Sequence, residues 1–263
     1  MATRINPSQE PLRALVYGVP GSTKTRTIAT AAWDVRTKPM LMLDAGSNPS
    51  SIRDYEEQPD IIRMHELEDF NDPFDWIMGG QQPKHKFAQQ FDLTPPYRSL
   101  SIDQLTDVQH LYFMRVLGAE NLPVAQVVRK REWEHYNKVL YSLQRFVKNY
   151  YSLADTGMHV FMVAQEREGD PISGRLIGPL LEGQIAVYAP SFANLVIRMR
   201  HFTTLEARVR KAIEKDGALV AVTSVAYFTP DSNHLAKDQV SNGKLGDYMI
   251  NPILPEMLDL IYS

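Results

Sequence analysis

The residue pattern with the clearest chemistry lies near the amino terminus, in the segment Gly18-Val-Pro-Gly-Ser-Thr-Lys-Thr25. The apolar run Leu12 to Tyr17 before it predicts a strand, and the lysine–threonine pair at its end is placed to open a helix. In that order, a glycine turn frees backbone N–H groups for phosphate oxygens, Lys24 supplies a positive charge, and the Thr25 hydroxyl can ligate Mg²⁺. We therefore expect a nucleotide-phosphate loop made of Gly18, Pro20, Gly21, Ser22, Thr23, Lys24, Thr25 and Arg26.

One position departs from the phosphate-loop pattern G-x-x-x-x-G-K-[ST], because Thr23 precedes the lysine where a second glycine is usual. A Cβ at this place crowds the phosphates or requires a less favourable backbone conformation. The consequence we predict is weaker nucleotide affinity or slower turnover. The alternative interpretation is a plain strand-to-helix turn, in which glycine and proline only end the strand.

A nucleotide-bound Mg²⁺ also needs a carboxylate at the end of a neighbouring strand. Asp103 ends the alternating run that begins at Arg98, and Thr106 follows as the predicted N-cap of a helix. We assign Thr25 and Asp103 as the metal-binding residues; the alternative is that Asp103 only caps that helix. Asp44 is another strand-end carboxylate, which serves either catalysis or the capping of the sheet.

The run Met158 to Glu166 predicts a further strand that ends in a polar pair. Gln165 is placed to sense the terminal phosphate or to orient the attacking water, and Glu166 is a candidate base. The alternative is that both are ordinary polar residues at the end of a strand. With Lys24 and Asp103, this pair completes the predicted catalytic set.

Composition places limits on the class of protein. The chain has 263 residues, of which 44% are hydrophobic and 22% charged, as in a globular protein with a sizeable core. We predict a single domain, with a core over about residues 11–228 and a tail over 229–263.

The formal charge of −3 restricts any nucleic-acid contact to local patches, and the absence of a long apolar run predicts a cytoplasmic protein without a membrane partner. With no cysteine, disulfides, thiolate zinc sites and cysteine nucleophiles are excluded.

Short β-branched runs alternate with helical stretches, which predicts an α/β fold with a mostly parallel sheet. The predicted strands span residues 12–17, 40–44, 61–64, 100–103, 159–164, 195–199 and 219–228, and the predicted helices span 25–37, 106–117, about 127–153 and about 184–193. Residues 70–96 are expected to be an irregular insertion, and residues 166–183 a ligand loop. Because the last two strands follow each other more directly, we expect an antiparallel edge.

With these motifs in order along most of the chain, the sequence resembles the phage-encoded RecA-like P-loop proteins, including single-strand-annealing and recombination-mediator ATPases of the Sak type. The resemblance rests on residues 17–25, 101–106 and 160–166, and on the tail 235–238 leading to Asn251-Pro252. It implies a RecA-like P-loop NTPase core flanked by helices, with ATP and Mg²⁺ as cofactors. It also implies a homo-oligomer on single-stranded DNA that supports annealing or strand exchange in phage recombination.

Two further departures accompany Thr23. Gly46 stands where RecA-like proteins often carry a catalytic glutamate, and Gln239 stands where related tails often have an arginine that reaches a neighbouring subunit's nucleotide. The resemblance therefore predicts nucleotide binding more strongly than rapid hydrolysis, and a weak ATPase fits best. Two alternatives remain: a nucleotide-gated scaffold that acts through partners, and a small-molecule kinase, which the arginine-poor segment 166–183 disfavours.

The same resemblance implies that DNA binds the loop after the strand of Gln165, and it selects Arg167 and Arg175 as DNA-binding residues. Two other basic stretches and four tyrosines are candidates for phosphate neutralisation and base stacking. These are Arg129 to Arg131 with Lys138, Arg145 and Lys148; Arg198, Arg200, His201, Arg208, Arg210 and Lys211; and Tyr136, Tyr141, Tyr150 and Tyr151. The alternative is a solvated helix face with core aromatics.

Overall fold

The computed structural model describes residues 10–46, 49–118, 133–170, 172, 174–202 and 223–263. Its strands are β1 (Arg13–Gly18), β2 (Met40–Asp44), β3 (Asp60–Arg63), β4 (Ser99–Asp103), β5 (His159–Arg167), β6 (Gly178–Pro179), β7 (Leu195–His201), β8 (Ser224–Tyr227), β9 (Lys237–Asp238) and β10 (Tyr248–Ile250). Its α-helices are α1 (Lys24–Ala29), α2 (Asn71–Met78), α3 (Lys86–Gln90), α4 (Leu105–Val116), α5 (Trp133–Ser152), α6 (Ile185–Phe192) and α7 (Leu254–Tyr262).

These strands form one sheet in the order β10-β8-β7-β1-β5-β4-β2-β3, with β6 beside β5 and β9 beside β7. From β3 to β7 all neighbours are parallel, whereas β8 is antiparallel to both β7 and β10. Strand β5 separates the phosphate-loop strand β1 from β4, the strand that ends at Asp103. The predicted α/β class, with a mostly parallel sheet and an antiparallel edge, is confirmed.

Helices cover both faces of the sheet because successive residues of a strand point to opposite sides. On β1, Leu15 and Tyr17 belong to the apolar cluster that includes side chains of α2 to α6. Ala14 and Val16, between them, belong to the cluster that includes side chains of α1 and α7. The central strands are therefore buried on both faces, as expected for a parallel sheet.

The carboxyl-terminal segment takes part in this sheet. Strand β10 extends its antiparallel edge, and α7 buries its apolar side chains against the cluster beneath α1. Met257, Leu258 and Ile261 of α7 are buried in the same cluster as Ala14 and Val16 of β1. In the described part of the chain, no helix is both long and apolar enough to cross a membrane.

Several predicted elements differ from the structure. The helix predicted over 25–37 is α-helical only to Ala29 and continues as a 3₁₀ turn to Trp33. The segment predicted as irregular, 70–96, contains α2 and α3, whose apolar side chains Trp76 and Phe87 pack against each other in the core. Strand β5 runs on to Arg167 and turns into a hairpin with β6, because backbone pairing continues past its buried part.

Candidate phosphate and metal site

The loop after β1 forms a concave backbone turn. Gly21 and Thr23 both have positive φ, 78° and 65°, and they curl the chain before α1 begins at Lys24. A backbone in which residues of positive φ alternate with a residue of negative φ turns successive N–H groups toward one side, and this geometry binds anions. No atom of the described residues lies within 4 Å of the place that a Cβ on Gly21 would take. The loop therefore offers a cradle that fits a phosphate group.

Gly18 has a different physical task in the loop. A Cβ placed on it would lie 2.2 Å from the carbonyl oxygen of Met199 in β7 and 2.6 Å from Oγ of Ser22. The glycine is therefore required for the close approach of the loop to the neighbouring strand. Ser22 is buried and donates from Oγ to the carbonyl of Val19 at 2.7 Å, which closes the turn.

Lys24 lies inside the loop. Its Nζ donates to the carbonyl oxygens of Gly18 at 2.8 Å and Val19 at 3.0 Å. Burial lowers the pKa of Lys24 to about 8, while the carboxylates of Asp103 and Glu166 act in the opposite direction. A buried ammonium held by carbonyl oxygens would gain from an anion, since an opposite charge stabilises its protonated form.

Thr25 and Asp103 are brought together from positions 78 residues apart in the chain. The Thr25 hydroxyl donates to Oδ2 of Asp103 at 2.6 Å, and Asp103 is almost fully buried at the end of β4. A hydroxyl and a carboxylate in contact beside a phosphate cradle form the oxygen donor set that Mg²⁺ prefers. These residues therefore fit a nucleotide with its metal ion.

Thr23 has an unfavourable local environment. A β-branched residue at φ 65° is a genuine conformational outlier. Its hydroxyl oxygen is buried and finds no hydrogen-bond partner among the described residues. Both features coincide with the position that departs from the phosphate-loop pattern.

The polar end of β5 is held by backbone and side-chain contacts. Gln165 lies beside Gly18 in the β1–β5 register, and its N–H donates to the Thr106 hydroxyl at 3.1 Å. Thr106 also donates to the carbonyl of Leu180, at 3.3 Å. Thr106 is therefore not the helix N-cap that we predicted, since α4 begins at Leu105 with Gln104 as its N-cap. Thr106 instead joins α4 to the strand of Gln165.

Glu166 lies in a buried ion-pair cluster. Its carboxylate accepts from Arg198 Nε at 2.9 Å and from Arg200 at 2.7 Å, both on β7. The side chains of Glu166 and Arg198 are each 4% exposed. Arg198 is consequently unable to serve as a DNA contact, and Glu166 is neutralised in place. Nothing in the sequence marked this pairing, because the two strands are far apart in the chain.

Three other predicted residues lie at the margin of this site. Arg26 donates to the carbonyl of Ser51 at 2.6 Å, pairs with Asp54 at 3.2 Å and lies over the ring of Tyr55. Arg167 and Arg175 lie on the hairpin after β5, where burial and the nearby Arg175 lower the pKa of Arg167. The hairpin is closed by reciprocal backbone bonds between Asp170 and Arg175, at 2.8 and 3.0 Å.

The tyrosines predicted as stacking platforms differ in their exposure. Tyr150 and Tyr151 are buried, with hydroxyls that donate to the carbonyls of Phe70 at 2.6 Å and Ala14 at 3.1 Å. They are core residues, in agreement with the alternative interpretation of core aromatics, and they offer no exposed face for base stacking. Tyr141 is exposed on α5. The basic residues 129–131, 208, 210 and 211 lie outside the described part of the chain.

Asp44 and Asp107 complete the acidic side of the site. Asp44 is buried at the end of β2 and pairs with Arg63 of β3 at 2.8 Å. Asp107, in the first turn of α4, has a pKa that burial and then the nearby Asp103 and Asp44 raise to about 6. Asp107 was not identified from the sequence; its place four residues after Asp103, in the first turn of the helix that follows β4, is the signal that could have indicated it.

Comparisons with protein-family models and with curated proteins gave no match. Among solved structures, one that aligns with this chain is an ATPase from the type III secretion system of pathogenic bacteria. The alignment covers 94% of this chain and 60% of the ATPase chain, with 9% sequence identity and a TM-score of 0.45. The chain thus spans less than two thirds of that protein. A second solved structure is an ATPase domain, and its alignment covers 87% of this chain and 80% of the ATPase-domain chain, with 9% sequence identity and a TM-score of 0.42. Neither similarity bears on function, which is inferred from the geometry of the site.

Proposed function

We propose that this protein binds ATP with Mg²⁺ and hydrolyses it slowly. The observation that carries the proposal is the 2.6 Å hydrogen bond between the Thr25 hydroxyl and the Asp103 carboxylate, at the base of the loop that holds Lys24. A strand-to-helix turn without a ligand gives no reason for a buried lysine whose Nζ faces loop carbonyls. It also gives no reason for the buried carboxylate of Asp103 at the end of β4, which is separated from β1 by one strand of the sheet.

Each side chain then has a defined task. The N–H groups of the loop and the Lys24 ammonium hold phosphate oxygens, and the phosphate charge offsets the burial of that ammonium. Thr25 and Asp103 hold Mg²⁺, whose chemistry is to neutralise charge on the phosphates. Gln165, placed beside Gly18, is in a position to sense the terminal phosphate.

The more specific part of the proposal is that the protein acts on single-stranded DNA as a homo-oligomer, in annealing or recombination in the cytoplasm of a phage-infected cell. Support comes from the sequence resemblance and from the hairpin after β5, which carries Arg167 and Arg175 near each other and exposes Ile172 at its tip. The hairpin pairing begins at Glu166, directly after Gln165. Nucleotide binding at the loop therefore has a short covalent path to the proposed DNA contacts.

The test is ATP binding by calorimetry with and without Mg²⁺ and single-stranded DNA, with phosphate release followed in the same samples. Lys24→Ala should abolish the thermal stabilisation by ATP, and Asp103→Ala should remove mainly its Mg²⁺ dependence. Lys38→Ala, which removes an exposed lysine paired with Glu57, is the matched control and should leave ATP binding unchanged. ATP stabilisation that survives Lys24→Ala would refute the assignment of the site.

A nucleotide-gated scaffold is the second candidate, favoured by the strained Thr23 and by the neutralisation of Glu166. Both features lower the expected rate of hydrolysis without removing the phosphate cradle. Tight ATP binding without phosphate release, indifferent to DNA, would establish this alternative. DNA-stimulated phosphate release would exclude it.

A further inference from the structure

Most carboxylates at the ligand edge of the sheet are already engaged by a partner on the chain. Asp103 accepts from the Thr25 hydroxyl, and Asp44 is paired with Arg63. Glu166 is held by two arginines of β7. A carboxylate oxygen that is already bonded to a side chain of the protein has less capacity to hold a water molecule.

Asp107 is in a different environment. It is half-buried in the first turn of α4, four residues after Asp103, and among the described residues the ionisable groups that act on it are the carboxylates of Asp103 and Asp44. The Gln104 side chain hydrogen-bonds to it and works in the opposite direction. A partly buried carboxylate that faces other carboxylates binds a proton more strongly than a solvent-exposed carboxylate does.

Gly46 leaves room for this carboxylate. A Cβ on Gly46 would lie 3.2 Å from both Cγ and Oδ2 of Asp107, and the backbone there has a φ of 151°. Any side chain at residue 46 would therefore press on Asp107 or displace it. The carboxyl group of Asp107 consequently occupies the space beside the end of β2 that a side chain from residue 46 would otherwise take.

We propose that Asp107 is the carboxylate that orients the attacking water and accepts its proton when the terminal phosphate of ATP is hydrolysed. This inference rests on the proposed function. The water oxygen bonds to the terminal phosphorus, and the bond from that phosphorus to the bridging oxygen breaks, with its electron pair left on ADP. The water proton moves to Asp107 and then to solvent, which gives ADP and inorganic phosphate.

The experiment compares Asp107→Asn with Asp72→Asn in the full chain. Asp72 is a matched control because it is also an acid in the first turn of a helix, and it pairs with Lys86 at the surface, in a different helix from Asp107. Phosphate release, the Kd for ATP with Mg²⁺, and the melting temperature of the nucleotide-free protein are measured for each variant. Asp107→Asn should lower kcat about 100-fold or more and change Kd less than about threefold. Asp72→Asn should change neither.

The nucleotide-free protein gives a second readout that does not depend on turnover. Asp107→Asn should raise the melting temperature by about 3 °C at pH 8, because it removes a carboxylate that faces two others, and the gain should shrink near pH 4.5. Asp72→Asn, which loses a surface ion pair, should not raise it.

Three results would overturn the inference: a kcat within about threefold of wild type in Asp107→Asn, a Kd weakened about 100-fold, or a wild-type protein that binds ATP without turning it over. A wild-type protein that does not bind ATP would instead refute the proposed function itself.

Discussion

Replacing Thr23 by glycine should stabilise the nucleotide-free protein, although the change removes a side chain. An L-residue in the left-handed region costs about 1–2 kcal/mol, and Thr23 has φ 65° and ψ 16°. Its buried hydroxyl, without a partner among the described residues, costs about 1–3 kcal/mol more. Glycine loses about 0.5–1 kcal/mol through the greater freedom of the unfolded chain. The balance is a gain of about 2 kcal/mol, or about 5 °C in melting temperature.

The assay is urea denaturation and thermal melting of wild type and Thr23→Gly without nucleotide. Thr156→Gly is the matched control, since Thr156 lies in a 3₁₀ turn, is not among the residues with positive φ, and donates from its hydroxyl to Leu153 at 2.7 Å. The control should lose about 1–2 kcal/mol of stability. If Thr23→Gly is destabilised as much as the control, the loop is not strained at this residue and the reasoning is wrong.

Two further predictions concern packing and acid stability. Gly18→Ala should destabilise the protein by at least about 3 kcal/mol in urea denaturation, because its Cβ would meet the Met199 carbonyl at 2.2 Å. Gly21→Ala, where only the positive φ is unfavourable, should cost about 1 kcal/mol, and equal losses would contradict the packing argument. Burial lowers the pKa of His159 to about 4, and its Nδ1 accepts from the Leu12 N–H, so the folded protein favours the neutral ring. The contribution of the neutral ring to the free energy of unfolding is complete above pH 6.5 and is lost as the pH falls toward 4, with about 2 kcal/mol lost by pH 5. His159→Asn should flatten this pH dependence of the unfolding free energy, and an unchanged slope would exclude His159 as its source.

The central strands were predictable because a buried parallel strand has a local signature. The predicted strands at 40–44 and 100–103 match β2 and β4 to within one residue, since their apolar runs end at charged or turn-forming residues. Helices α2 and α3 were not predicted, because they are short and lie in a segment rich in proline, glycine and glutamine. Trp76 and Phe87 are ordered by contacts with the core rather than by helical propensity.

The phosphate loop could be read from the sequence because its parts are neighbours in the chain. Spacing alone places two glycines, Lys24 and Thr25 around one turn, since a strand followed directly by a helix has few possible geometries. The sequence also located Asp103 at the end of a strand. It indicated which residues could supply phosphate and metal chemistry and the order in which they come.

Only the tertiary structure decided how these residues are engaged. The carbonyl of Met199 in β7 occupies the place that a Cβ on Gly18 would take. Arg198 of the same strand pairs with the carboxylate of Glu166, and Asp107 fills the space beside Gly46. Each of these contacts joins segments that are distant in the chain. Contacts of this kind depend on strand order and register, which local propensities and spacing do not specify.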